Sequence, residues 1–219
     1  MKKGIFVLVL ALALAVPVLA RDMGLEYSET CRFYGFPIFG RDYAHTGFST
    51  DVQGLDVGVA SHISQGNDLD TWDTVVNYDW SDIISTGGGY LVLPGGREIS
   101  TVTGTINLPA NLRYTIAHVE QGGLRNGQLH VLGMDFDFGD DPNEISANIM
   151  MECTYNDGVN PFGDKVIRGV THATAGFTLS LPMGDVNLLP GVYWQHTFDE
   201  AVNPERNEVW YGIGIEYRF

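Results

Sequence analysis

The side chains with the greatest capacity for chemistry are carboxylates and guanidinium groups spaced at even intervals through short apolar stretches. Glu26, Asp51, Asp56, Asp73, Asp79, Asp135, Asp137, Glu152, Glu208 and Glu216 occupy such positions, as do Arg32, Arg113, Arg168 and Arg218. A period of two places them on one face of a β-strand, opposite the apolar residues. If that face lines a barrel, the excess of carboxylates attracts cations and repels anions. The expectation is a narrow, cation-preferring lumen. The alternative is that the arginines pair with these carboxylates and fill the interior, leaving no pathway.

Other chemistries are less well supported. Asp135-Phe136-Asp137-Phe138-Gly139-Asp140-Asp141 offers oxygen ligands suited to calcium, but lacks the spacing and terminal glutamate of a helical calcium loop. Two of its aspartates are better read as lumen residues and two as part of a turn. Ser61 adjoins His62, but neighbours on a strand point to opposite faces and cannot meet as nucleophile and base. His45, His118, His130, His172 and His196 are scattered singly. There is no zinc-type Cys/His cluster, and Gly87-Gly88-Gly89 lies in a strand context rather than ahead of a helix. No catalytic residue, metal site or cofactor is expected. Cys31 and Cys153 fall far apart in strand order, and the reading favours free thiols, although the spacing alone leaves a disulfide open.

The elements that must position these groups are strands. From Val209 to Phe219 one face carries Val209, Tyr211, Ile213, Ile215, Tyr217 and Phe219, and the other Glu208, Trp210, Gly212, Gly214, Glu216 and Arg218. That alternation excludes a helix. Similar runs recur about every sixteen residues, separated by turn residues. Strands are expected at 24–36, 43–53, 55–64, 69–80, 84–94, 98–108, 111–120, 128–138, 144–156, 166–181, 186–198 and 208–219. This is an all-β chain, read as a single closed antiparallel transmembrane β-barrel of about 12 strands with both termini on the periplasmic side. Longer connections at 156–164 and 199–207 are expected to be outer loops. Pro190 falls inside a strand and marks a bulge or strand start. The four tryptophans, Trp72, Trp80, Trp194 and Trp210, are expected in aromatic girdles at the two membrane interfaces.

Residues 1–20 read as a signal peptide and 21–219 as the barrel. Lys2 and Lys3 precede an apolar run from Ile5 to Val16, and Val18-Leu19-Ala20 suits cleavage better than an uncleaved anchor does. The whole chain has 12 basic and 27 acidic residues, net −15. Losing Lys2 and Lys3 leaves 10 against 27, net −17. Such a surface disfavours nucleic acid as a partner.

Glu26-Tyr27-Ser28-Glu29-Thr30-Cys31-Arg32-Phe33-Tyr34-Gly35-Phe36 resembles the first strand and loop of the TorF-type porin family of small outer-membrane β-barrels. Gly54–Val59 and Leu69–Tyr78 resemble that family's third and fourth strands, and Val209–Phe219 its closing strand. The likeness covers most of the mature chain in layout. It departs at Tyr34, where the family tends to carry arginine, so no role of that arginine is carried over. The resemblance implies an outer-membrane channel without catalytic residues.

The expected function is passive diffusion of small polar solutes or cations. The expected partners are outer-membrane lipid and the barrel-assembly machinery, the latter through the strand ending at Phe219. Alternatives are a barrel enzyme acting on lipids, and a structural or adhesive barrel that passes no solute.

Overall fold

The computed structural model describes residues 22–28, 31–33, 36–39, 43–52, 55–64, 71–92, 98–122, 126–139, 144–160, 163, 165–204 and 206–218, with side chains described from Val75 to Tyr217. The strands are β1 (Asp22–Ser28), β2 (Cys31–Phe33), β3 (Phe36–Phe39), β4 (Tyr43–Val52), β5 (Leu55–Ser64), β6 (Thr71–Asp79), β7 (Ile84–Val92), β8 (Glu98–Leu108), β9 (Leu112–Gln121), β10 (Gly127–Phe138), β11 (Ser146–Asp157), β12 (Arg168–Met183), β13 (Val186–Thr197) and β14 (Asn207–Arg218). The chain is an all-β antiparallel sheet in which, from β4 onward, each strand pairs with the next. In register, β1 stands beside β14, with Asp22 opposite Arg218, and beside β4, with Asp22 opposite Ser49.

The start of the chain differs from the sequence reading. The single strand expected at 24–36 is divided: β1 stops at Ser28, and β2 pairs with β3 in a separate two-stranded sheet. Arg32 therefore sits in β2, opposite Pro37, and not in a strand of the main sheet. From β6 to β14 the strand limits fall within two residues of those expected.

Directly opposed residues on antiparallel strands share a face, so each inward position propagates around the sheet. One such row runs through Trp210, Tyr193, Gly176, Met150 and Asp135, and another through Glu208, Gln195, Thr174, Glu152, Gly133 and Arg113. The opposite face is apolar and open to the surroundings: Tyr211 is 58% exposed, whereas its neighbour Trp210 is 9% exposed. Val102, Ile106, Leu132, Phe177, Ile213 and Ile215 continue this outer band. Short turns (80–83, 109–111, 184–185) gather at one end of the strands, and longer loops (158–167, 198–206) at the other.

Pro190 interrupts one ladder. It pairs with Ile213 on β14, but the β12–β13 pairing skips from Thr178–Gly191 to Leu181–Leu188, as a residue without an N–H requires.

Gly176 marks a close contact between β12 and its neighbouring strands. A Cβ there would lie 2.6 Å from Cδ1 of Tyr193 and 2.9 Å from Cγ of Met150. The tyrosine ring lies across the space that a side chain would fill. Gly176→Val is expected to cost about 1–3 kcal/mol through overpacking, seen as a lower denaturant midpoint of the lipid-inserted protein. An unchanged midpoint would mean that this packing does not hold β12 to β13.

Candidate pore lining

A cavity of about 650 Å³ lies along the inner face of β6 to β11. Its wall combines a band of hydroxyl and amide groups (Asn77, Ser85, Thr101, Thr103, Thr105, Asn107 and Thr115) and the charges of Asp79, Arg113 and Glu152 with apolar side chains, among them Val75, Leu91, Ile99 and Val131. The threonines come from alternation along β8 and β9, and the hydroxyls of Thr105 and Thr115 lie 2.9 Å apart across the strand pair. Each is β-branched, as suits a strand, and still offers a donor and an acceptor to the cavity.

The charged centre is Arg113. Its Nη1 lies 3.0 Å from Oδ2 of Asp135, and its Nη2 donates to Oε1 of Glu152 at 2.7 Å. Arg113 reaches Glu152 across β10 because the intervening residue is Gly133, where a Cβ would stand 3.3 Å from the guanidinium. One cation thus serves two carboxylates. Asp137 accepts a hydrogen bond from Nδ2 of Asn148 at 2.8 Å, and Glu216 accepts one from Nδ2 of Asn187 at 3.1 Å. Asp79 lines the same cavity as Arg113. Arg168 pairs with Asp157 at 2.7 Å near the loop end, with both side chains largely exposed, a pairing that contributes little to stability.

The structure therefore brings together Arg113, Asp135 and Glu152, and places Asp79, Asp137, Glu208 and Glu216 on the same inner face. The side chains of Glu26, Arg32, Asp51, Asp56, Asp73 and Arg218 lie outside the described residues. In backbone register Glu26 stands opposite Gly214, and Asp51 opposite Asp56.

Large side chains fill the other part of the interior. Tyr193 and Trp210 stack with ring centroids 5.5 Å apart, and Tyr193 Oη lies 3.2 Å from Thr178 Oγ1. This corrects the girdle expectation for Trp210, which faces inward because Glu208, Trp210 and Gly212 share one parity along β14. Trp80 and Trp194 do lie on the exposed face, and the Trp72 side chain lies outside the described residues.

The described histidines are dispersed. His130 Nδ1 is 2.8 Å from Tyr114 Oη, His172 Nδ1 is 3.1 Å from Thr171 Oγ1, and His196 Nδ1 is 2.7 Å from Asn207 Oδ1. The Ser61 and His62 side chains lie outside the described residues. Among the described residues no group of three or more metal-ligating side chains forms. Cys153 is a free, partly covered thiol, and the Cys31 side chain lies outside the described residues.

No protein-family model matches the chain, and no match among curated proteins was found. Solved structures do resemble it. A KdgM porin is 14% identical and superposes with a TM-score of 0.55, covering 90% of this chain and 99% of its own. LpxR from Salmonella typhimurium is 8% identical, with a TM-score of 0.53 over 90% of this chain and 100% of its own. The translocator domain of the autotransporter NalP from Neisseria meningitidis is 12% identical, with a TM-score of 0.51 over 90% of this chain and 87% of its own. At such identities the likeness is one of fold, that of outer-membrane β-barrels.

Proposed function

We propose that the chain is exported, loses residues 1–20, and inserts in the outer membrane as a closed barrel of twelve strands that conducts small polar solutes with a preference for cations. Closure is supported by the register of β1 with both β14 and β4. Lipid as the outer solvent is supported by the exposed apolar band, since a bilayer admits strands only where every backbone group is paired. The segment offered to the assembly machinery is β14 together with the Phe219 that follows it.

The observation that carries the channel reading is the cavity and the row of hydroxyl and amide groups along its wall. Those groups can replace water around a small solute, and the described inner-face carboxylates Asp79, Asp135, Asp137, Glu152, Glu208 and Glu216 exceed the charge of Arg113. Such an imbalance concentrates cations in the lumen. A fold shared with a porin is consistent with this reading.

Refolded protein lacking residues 1–20, placed in a planar bilayer under a potassium chloride gradient, is expected to give a reversal potential of the sign for cation selectivity. Anion selectivity, or no current under any condition, would defeat the proposal.

A further inference from the structure

At the loop end the inner face is covered by packed side chains. Val159 and Ile167, from the loop between β11 and β12, and Val202, from the loop between β13 and β14, pack with Ile99, Val119 and Leu129 of the inner wall, all 3% exposed or less. A channel lining that met only water and solute would have no reason to bury these residues completely.

The loops are built into the wall rather than draped over it. Asn156 turns the chain inward: its Nδ2 donates to Val159 O at 2.9 Å, and its Oδ1 accepts from Val159 N at 2.8 Å. Gly158 N donates to Ile167 O at 2.8 Å, closing the neck of the loop. Asn160 N donates to Oε1 of Gln121 on β9 at 3.1 Å. The second loop is fixed to the lumen by Asn203, whose Nδ2 donates to Glu208 at 3.0 Å. Gly127 on β10 makes room for the first loop, because a Cβ there would stand 2.6 Å from Val159 N and 2.7 Å from Gly158 C.

We propose that segments 158–160, 165–167 and 199–203 form an apolar latch that shuts the β8–β11 side of the loop-end mouth, and that full conduction requires its release; this rests on the channel reading above. The latch meets the wall through apolar side chains, Val159, Ile167 and Val202 against Ile99, Val119 and Leu129, so its closed state excludes water and solute together at that contact.

The test separates the latch from the channel. Val159→Cys, in a Cys31→Ser and Cys153→Ser background, reports latch position through labelling by a membrane-impermeant maleimide in reconstituted vesicles. Labelling is expected to be slow, and faster by roughly tenfold or more when Gly127→Ala crowds the loop out. Ile167→Asp, which burdens only the loop, is expected to act in the same way should Gly127→Ala impair folding, with heat-modifiable gel migration as the folding control. Rapid labelling without either substitution would overturn the latch. In planar bilayers the released variants are expected to pass several times the current of the parent. Released labelling with parental current would overturn gating while leaving the channel intact. No current from parent or variants would overturn both gating and channel, and the labelling would still report whether the loops are docked.

Discussion

Arginine in place of Phe177 is expected to lower the stability of the lipid-inserted protein by about 2–4 kcal/mol, the depth-dependent cost of a cation on the lipid face of a barrel. Phe177 stands between Ile149 and Val192 on neighbouring strands, on the exposed apolar face. Thr103→Lys is the matched control, because Thr103 lines the polar cavity. There the ammonium remains hydrated, so the stability cost is expected to be small and the effect to appear instead as weakened cation preference. Denaturant titration of both variants in the same lipid measures the difference. Equal costs, or a larger cost at Thr103, would mean that the two faces have been assigned the wrong way round.

The second large effect is expected at Arg113. Its guanidinium is the shared partner of Asp135 and Glu152, at 3.0 and 2.7 Å. Arg113→Ala leaves both carboxylates in the lumen without that partner and removes the cation that opposes their field. The cation-to-anion permeability ratio is expected to rise several-fold, most strongly at low salt, where screening is weakest. Arg113→Lys keeps the charge but loses the planar fork that holds two partners, and is expected to fall between parent and alanine variant. Reversal potentials at two salt concentrations read both variants. A ratio that falls, or does not move, would place Arg113 outside the conduction path.

Much of the inner wall was legible in the sequence because strand alternation is a strong signal where one face is polar. Thr101, Thr103, Thr105 and Asn107 opposite Val102, Ile106 and Leu108 is such a case, and register puts Asp135, Asp137 and Glu152 on the same face of the sheet as these polar residues. The meeting of Arg113 with two of those carboxylates was not legible. It depends on register between β9, β10 and β11 and on the space above Gly133, neither of which is a property of one strand.

The latch was less legible still. Ile99 and Leu129 put apolar residues on the otherwise polar face near the loop end, because there that face packs against loop residues. An apolar residue on both faces leaves parity with nothing to report. Trp210 was misplaced for a related reason. An aromatic residue at a strand terminus suits an interface girdle and an interior stack equally well by type, and only its parity with Glu208 and Gly212 decides between them. The division of 24–36 into β1 and the β2–β3 hairpin was missed although Gly35, Pro37 and Gly40 punctuate that stretch.

The most direct test of the account uses two proteins that each retain one tryptophan, Trp194 or Trp210, with the other three replaced by phenylalanine. Both are reconstituted in lipid with brominated acyl chains, which quench indole fluorescence on contact. Trp194 lies on the exposed apolar face and Trp210 in the interior stacked on Tyr193. The account predicts strong quenching of Trp194 and little of Trp210. Equal quenching of both, or quenching of Trp210 alone, would contradict it.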